Sequence, residues 1–340
     1  MSAGPGSAAS PAPPAAWWRA LPNGQAACDL CPIGCRLREG QTGPCGTRAN
    51  RHGVMAPLHY GRIATAALDP IEKKPLFHFH PGCDILSVAA PGCNLHCAFC
   101  QNWNLSQEHD APTRPATARE LVATAIDHGS VGIAFTYSEP LVWFEFVRDT
   151  ARAARAAGLA TVLVTNGYLN PEPLAELLPL IDAANIDLKS MDDRFYRRVC
   201  KARLAPVLDS IRRFVAAGVH VELTNLVIPG HNDDEASLEA LIDFVAGLGR
   251  PVPLHFSAYH PAWRMQAPPT PRATLLRAYE QASRRLDWVY LGNLSGEQGR
   301  DSRCPTCATL LVDRSSYRGI STLTPSAACP HCGTPHPFIL

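Results

Sequence analysis

Three cysteines lie close together in the stretch APGCNLHCAFCQNW. Cys93, Cys97 and Cys100 have the spacing C-x3-C-x2-C. A structural zinc site uses four ligands in a tetrahedron, whereas each iron of a cubane cluster is usually held by one thiolate. Three thiolates therefore indicate a [4Fe-4S] cluster with one open iron that can take a small molecule. A three-thiolate zinc site completed by His96 or another ligand is the alternative.

A second set of cysteines lies near the end of the sequence and forms two C-x2-C knuckles. Its members are Cys304, Cys307, Cys329 and Cys332. This pattern is typical of a zinc ribbon with a structural or partner-docking role, because four thiolates leave no open position. A rubredoxin-like iron site or an auxiliary cluster is the alternative. Ala308 stands where the knuckle usually has glycine.

A third set lies near the start of the sequence and lacks the second knuckle of a ribbon. Its members are Cys28, Cys31, Cys35 and Cys45. Four thiolates could hold structural zinc, which we slightly favour, or an auxiliary iron–sulfur cluster that relays electrons or binds substrate. The two remaining cysteines, Cys83 and Cys200, are predicted to be small buried hydrophobic residues.

Composition excludes several other classes of protein. The chain has 340 residues with 31 basic and 30 acidic side chains, so no bulk field favours nucleic acid or a membrane surface. No apolar run reaches the roughly eighteen residues of a membrane span. The sequence shows no secretory signal, so its 13 cysteines indicate metal or redox chemistry in the cytoplasm.

Strand-like and helix-like segments alternate between residues 84 and 292, which predicts βαβ units with a parallel sheet. The predicted strands are 84–90, 131–137, 161–165, 183–188, 219–228, 252–258 and 288–292. The predicted helices are 117–129, 141–158, 171–178, 205–218, 234–249 and 271–286. We predict an α/β fold, a full or partial (β/α) barrel of six to seven units with small Cys-rich N- and C-terminal modules. Periodicity alone leaves an open sheet as an alternative.

The chain is accordingly divided into four parts, with the chemistry at the carboxyl ends of the barrel strands. They are a disordered tail (1–20), a four-cysteine N-terminal module (21–80), a barrel (81–298) and a zinc-ribbon-like C-terminal module (299–340).

The central cysteine loop resembles the signature of radical S-adenosylmethionine (SAM) enzymes, in which an aromatic residue, here Phe99, precedes the last cysteine. The resemblance implies that SAM binds the open iron of a [4Fe-4S] cluster through its methionine amino and carboxylate groups. It also implies one-electron cleavage of SAM to methionine and a 5′-deoxyadenosyl radical that abstracts hydrogen from a substrate. Cys93, Cys97 and Cys100 would then be the catalytic cluster ligands.

Residues at the later strand ends fit the same resemblance. In YSEP, Tyr137 and Ser138 replace the glycines of the family's GGEP-like turn, so binding of the SAM amino group rests on Glu139 and the backbone. The further SAM-binding candidates are Asn166 in TNG, Asp187 and Lys189 in IDLKS, and His260 in HFSAYHP. Lys189 is the candidate for the methionine carboxylate, and His260 for SAM or the substrate. Each could also be an ordinary turn or a solvated barrel rim, and His255 is predicted to be a packed residue.

A finer resemblance rests on the order of several stretches. DLCPIGC, DPIEKKPLFHF, CQNW and NIDLKSMDDRFYRRV look like those of the AmmeMemoRadiSam system radical SAM enzymes, relatives of pyruvate formate-lyase activating enzyme. This resemblance implies Memo-like and Amme-domain proteins as partners and flavodoxin or ferredoxin as electron donor. The substrate would be a protein or peptide, as for the activating enzymes. A small-molecule substrate, or a non-catalytic zinc-binding adaptor, is the alternative.

Overall fold

A central sheet of eight strands organises the chain, which the computed structural model describes over residues 13–108, 110–296, 298–316 and 318–340. Seven strands are parallel and follow one another across the sheet in chain order. They are Asp84–Ala89, Gly132–Phe135, Ala160–Thr165, Ala183–Asp187, His220–Val227, Leu254–Ala258 and Val289–Gly292. Each corresponds to a predicted strand, because buried parallel strands are nearly continuous apolar runs.

Six helices connect these strands, as expected for βαβ units. They are Ala118–Asp127, Phe144–Ala156, Pro171–Leu177, Leu204–Ala216, Glu235–Leu248 and Arg272–Ser283. The capping box predicted from Thr117 is present: Thr117 Oγ1 accepts from the Glu120 amide, and the Glu120 carboxylate accepts from the Thr117 amide. None of the helices in the described ranges is long and apolar enough to cross a membrane.

The sheet is a partial barrel. The eighth strand, Thr65–Pro70, pairs antiparallel with Asp84–Ala89 and forms one edge, while Val289–Gly292 forms the other. The strand order runs from one of these to the other without pairing them, so within the described chain the barrel is not closed. The predicted fold class is confirmed in its partial form.

The residues before the barrel form small sheets that share its core. Trp18–Ala20, Ala26–Cys28 and Arg36–Leu37 make a three-stranded antiparallel sheet, and Arg48–Arg51 pairs with Val54–Pro57. Arg62–Ile63 pairs with Arg114–Pro115, beyond the first barrel strand. Ala15, Cys28 and Leu30 belong to the same buried cluster as the barrel strands.

Two of the predicted boundaries differ from the structure. The first twelve residues of the predicted tail lie outside the described residues, but Trp18–Ala20, also assigned to that tail, forms a strand. Thr65–Pro70, assigned to the N-terminal module, is instead an edge strand of the central sheet. Trp18–Ala20 pairs locally with Ala26–Cys28, whereas Thr65–Pro70 depends on pairing with Asp84–Ala89, which local sequence pattern does not report.

The C-terminal segment packs at the amino ends of the barrel strands. Ser302–Arg303, Leu310–Asp313 and Ile320–Ser321 form a small antiparallel sheet. Phe338 stacks on His78, which precedes the first parallel strand, and Arg318 contacts Asp84, where that strand begins. The cysteine loop follows the same strand at its other end, so this segment lies at the opposite edge of the sheet.

Candidate functional site

A cavity of about 380 Å³ lies at the carboxyl ends of the parallel strands. The three central cysteines line it, together with four of the five strand-end candidates, Glu139, Asn166, Asp187 and Lys189. The fifth, His260, is exposed and does not line the cavity; its Nδ1 lies 3.4 Å from the Gln101 amide nitrogen at the rim. A role for His260 therefore stays a prediction.

Hydrogen bonds hold the three cysteine sulfurs in place. The Leu95 amide lies 3.3 Å from Cys93 Sγ, and the Asn166 side-chain amide lies 3.6 Å from the same sulfur. Cys100 Sγ lies 3.1 Å from Ser106 Oγ. Hydrogen bonds to cluster sulfurs tune the reduction potential of an iron–sulfur centre, so these contacts suit cluster ligands.

Cys200 lies against the central loop, although it is far away in sequence. A short π-helix, Tyr196–Cys200, presents the carbonyl of Cys200 to the His96 amide at 2.9 Å. A hydrogen bond from the Cys200 thiol lowers the pKa of Cys97. The prediction that Cys200 is buried is confirmed, and its thiol also acts on the pKa of Cys97 in addition to filling space.

Glu139 joins the ends of two neighbouring strands. Its Oε1 accepts hydrogen bonds from the Leu141 amide at 2.9 Å and the Thr165 hydroxyl at 2.6 Å, and its Oε2 accepts from the Asn166 amide at 2.8 Å. Burial raises the pKa of Glu139 to about 7, although these hydrogen bonds oppose the shift. The carboxylate therefore positions the TNG turn and presents a buried acidic group beside the cavity.

Tyr137 keeps the backbone conformation of the glycine that it replaces. Its φ is 67°, in the left-handed region that favours glycine. The phenol donates to the Asp69 carboxylate, Lys74 Nζ lies 2.8 Å from the same carboxylate, and Asn102 donates to the Tyr137 carbonyl at 2.9 Å. These contacts offset the backbone strain and fix the turn that precedes Glu139.

Asp187 and Lys189 form a pair on the cavity wall. Lys189 Nζ lies 2.9 Å from Asp187 Oδ2 and 5.7 Å from the centre of the Phe99 ring. Burial opposes the charge on Lys189, but the Asp187 carboxylate and the neighbouring Cys97 raise the pKa of Lys189 well above its usual value. Lys189 is therefore a cation, only 13% exposed at its side chain, that faces the cysteine loop.

The donor set at the central loop fits a cluster better than zinc. His96, the candidate fourth zinc ligand, does not line the cavity, and its Nδ1 lies 2.5 Å from Gln107 Oε1. Within the described ranges, the sulfurs of Cys93, Cys97 and Cys100 do not all lie within 4.8 Å of one another. Such wide spacing suits thiolates that hold separate irons.

The C-terminal cysteines have the geometry of a single-ion site. Their four sulfurs lie within 4.8 Å of one another, and the Cys304–Cys332 and Cys307–Cys329 sulfurs are each 3.6 Å apart. Zinc–sulfur bonds of about 2.3 Å in a tetrahedron place sulfurs roughly 3.8 Å apart. Ala308 adopts a φ of 61°, like the 74° of Gly333 in the other knuckle, so the departure from glycine preserves the turn.

Several residues of the site were not found from the sequence. Asp69 and Lys74 act through Tyr137, and Cys200 approaches Cys97. Further cavity-lining side chains come from the last three strands or the residue just after them: Thr224, Ser257 and Asn293. The sequence offered one usable signal for these contacts, the acidic and basic residues of DPIEKKP. Asp69 and Lys74 become partners of Tyr137 only because the antiparallel edge strand brings them to the sheet.

Comparison with known proteins assigns the same region a family. Residues 87–244 match the model of the radical SAM superfamily. An uncharacterized protein of Methanocaldococcus jannaschii is 42% identical over 326 residues, covering 94% of this chain and 97% of that protein. The pyruvate formate-lyase 1-activating enzyme of Escherichia coli K12 is 27% identical over 177 residues, covering 50% of this chain and 71% of that enzyme.

The fold comparison agrees. The structure of Streptococcus suis SuiB bound to S-adenosylmethionine superposes with a TM-score of 0.50 at 17% identity, covering 67% of this chain and 53% of that one. At this identity the likeness concerns the fold alone.

Proposed function

We propose a reaction for this chain, which belongs to the radical SAM superfamily and is related to the pyruvate formate-lyase activating enzymes. The chain is an enzyme of the activating type. When bound, the [4Fe-4S] cluster supplies the electron that cleaves SAM reductively, giving a 5′-deoxyadenosyl radical that takes hydrogen from a substrate. The observation that carries the proposal is that Cys93, Cys97 and Cys100 face one cavity together with Lys189.

The chain's own residues position SAM and exclude water. Lys189, the cation that faces the cysteine loop, binds the methionine carboxylate, since ammonium–carboxylate pairs are strong where water is excluded. Glu139 and the backbone of its turn hold the SAM amino group, and Asn166 and Asp187 complete this wall. Phe99, which is 4% exposed, covers the cysteine loop on the cavity side.

The proposed substrate is a protein or peptide. This proposal draws on the relatives, whose names describe enzymes that activate pyruvate formate-lyase and benzylsuccinate synthase. Exposed apolar surface near the cysteine loop supports it: Trp103 follows the cavity-lining Asn102 in sequence, is 36% exposed and offers apolar surface to a peptide. Flavodoxin or ferredoxin is the proposed electron donor.

The finer family assignment is also a proposal. The order of DLCPIGC, DPIEKKPLFHF and CQNW supports membership of the AmmeMemoRadiSam system, with Memo-like and Amme-domain proteins as partners. The cytoplasmic location stays a prediction. So does the four-part division of the chain, within which we propose structural zinc for the C-terminal cysteines on the strength of their tetrahedral spacing.

The decisive measurement is 5′-deoxyadenosine formation by anaerobically reconstituted protein with SAM and dithionite. We expect slow formation by the wild type and none by Cys97→Ala, which removes a thiolate from the cluster. Cys83→Ala is the matched control, because Cys83 belongs to none of the three sets, and it should behave as the wild type does. Formation of the product by a Cys97→Ala protein would show that the site is wrongly assigned.

A further inference from the structure

We propose that the N-terminal cysteines hold an auxiliary [4Fe-4S] cluster that delivers electrons to the cluster at Cys93. The four ligands are Cys28, Cys31, Cys35 and Cys45. The sequence slightly favoured structural zinc at this position, and the geometry points to iron. The electron-delivery part of this inference rests on the proposed radical SAM function, whereas the identity of the metal does not.

The spacing of the sulfurs separates the three cysteine sets. The C-terminal sulfurs approach to 3.6 Å, close to the tetrahedral value for zinc. In the described chain, no three of the N-terminal sulfurs lie within 4.8 Å of one another, and neither do the three central sulfurs. A cubane places irons and sulfides between its thiolates and so spreads them apart. The N-terminal set therefore resembles the cluster loop and differs from the zinc ribbon.

The N-terminal sulfurs surround a closed, mostly apolar space. All four cysteines line it, together with Leu30, Leu37 and Val142. Cys28, Cys31 and Cys45 are each at most 9% exposed, so a cluster bound there would be shielded from water. Shielding and low exposure stabilise iron–sulfur clusters against solvent and help to set their potential.

A buried guanidinium lies beside the thiolates. Arg48 is 1% exposed, lines the same space, and its Nη1 lies 3.9 Å from Cys28 Sγ. A four-thiolate cluster carries net negative charge, which is costly to bury without a positive partner. Glu145 pairs with another nitrogen of Arg48 from the barrel side, so the barrel holds the guanidinium with Nη1 directed at the Cys28 sulfur.

The N-terminal site touches the central cysteine loop directly. The Cys93 amide donates to the Cys45 carbonyl at 3.2 Å, so one hydrogen bond links a ligand of one site to a ligand of the other. Gly92 makes this approach possible, because a Cβ there would lie 2.4 Å from the Cys45 carbonyl oxygen. Thr47, two residues after Cys45, donates to the Val142 carbonyl at 3.0 Å and fixes the loop on the barrel.

The proposed step moves one electron and no atoms. The auxiliary cluster passes from its reduced +1 state to +2, and the cluster at Cys93 passes from +2 to +1. A one-electron carrier of the flavodoxin or ferredoxin class then restores the auxiliary cluster. Cys35 is the most exposed of the four ligands and marks the side where such a carrier would approach.

Metal analysis of the full-length wild type tests the site first. After anaerobic purification and reconstitution we expect about eight irons and one zinc per chain, because each [4Fe-4S] centre contributes about four irons and the C-terminal site holds zinc. About four irons and two zincs would overturn the proposal. An N-terminal site without any metal, giving about four irons and one zinc, would overturn it as well.

A variant that lacks the central site isolates the auxiliary cluster. Cys93→Ala/Cys97→Ala/Cys100→Ala should retain about four irons, with an EPR signal after reduction that does not change when SAM is added. Loss of all iron from this variant would refute an N-terminal cluster. Retained SAM cleavage would instead refute the proposed function, so the two failures are distinguishable.

Electron delivery has its own readout. The reduced wild type should give an EPR spectrum broadened by interaction between two neighbouring paramagnetic clusters. That broadening should disappear in the triple variant and in Cys28→Ala/Cys31→Ala, which retains the central site. In the latter protein, reduction of the central cluster by flavodoxin, followed by freeze-quench EPR, should slow at least tenfold. A wild-type spectrum equal to the sum of the two variant spectra would contradict the relay.

Discussion

Replacing Glu145 by Gln should loosen the N-terminal segment from the barrel. The side chains of Arg48 and Glu145 are each 2% exposed and form an ion pair between the two parts of the chain. Arg48 Nη1 also donates to the Ala16 carbonyl at 2.7 Å, and the Ala16 amide donates to Glu145 Oε1 at 2.8 Å. Removing one member of a buried pair costs about 3–5 kcal/mol, because the other charge remains buried without compensation.

The amide of Gln can still accept from Ala16, so we take the lower end of that range for Glu145→Gln. A loss of roughly 3 kcal/mol corresponds to a fall in melting temperature of about 4 °C for a chain of this size. The assay is thermal unfolding by circular dichroism, with hydrogen exchange to show whether residues 13–57 lose protection first. Exchange localises the effect, because opening of one segment need not unfold the whole chain.

The matched control makes the same chemical change in an exposed pair. Arg213 Nε lies 2.7 Å from Asp209 Oδ2, and both side chains are nearly half exposed. Asp209→Asn should cost less than about 0.5 kcal/mol. Arg48→Met/Glu145→Leu should recover most of the loss, since apolar replacement of a buried pair is often neutral. A Glu145→Gln protein as stable as Asp209→Asn would refute the reasoning.

Two further predictions concern the cavity. Burial raises the pKa of Glu139 to about 7, so the folded state binds this proton more tightly than the unfolded state does. The protonated carboxyl therefore contributes to the free energy of unfolding. That contribution is complete below about pH 4.5 and is lost as the pH rises through 7. The stability of the apo wild type relative to Glu139→Gln should therefore fall by roughly 3 kcal/mol between pH 5 and 8, and pH-dependent melting curves that stay parallel would contradict this. The neighbouring Cys200 thiol lowers the pKa of Cys97, so Cys200→Ala should lower the potential of the central cluster by an amount on the order of 20–60 mV, the scale of one hydrogen bond. An EPR-monitored redox titration measures this shift, and an unchanged potential would exclude the hydrogen bond.

Local signals in the sequence were sufficient for the βα alternation. Strand Ala183–Asp187 was predicted as 183–188 and helix Phe144–Ala156 as 141–158, because apolar runs and glycine stops are visible in short windows. The antiparallel edge strand was not predicted. TAALDP is half-exposed and contains proline, so only its partner, Asp84–Ala89, shows that it belongs to the sheet.

The candidate site was predictable where one loop or one strand end carries it. Cys93, Cys97 and Cys100 share a loop, and Asp187 and Lys189 lie two residues apart. Contacts made through the tertiary fold were out of reach. Cys200 approaches Cys97 from a hundred residues away on a π-helix, an element that local sequence pattern does not indicate. In the sequence, the sign of the Arg48–Glu145 pair is Glu145 itself, which lies between Phe144 and Phe146 in a buried part of its helix. A buried carboxylate needs a charged partner.

The positions of the outer cysteine sets explain why the same ligand type can serve two purposes. The C-terminal set lies at the amino ends of the strands, against Trp288, a full strand length from the cavity, and this position suits the structural role proposed for it. The N-terminal set lies behind the cysteine loop, where Cys45 accepts the hydrogen bond from Cys93. A metal centre in that place changes the electrostatics of the central cluster whatever its redox state. The N-terminal segment therefore supports the cysteine loop from behind through Cys45, while the cavity itself is lined by residues from Lys73 onward.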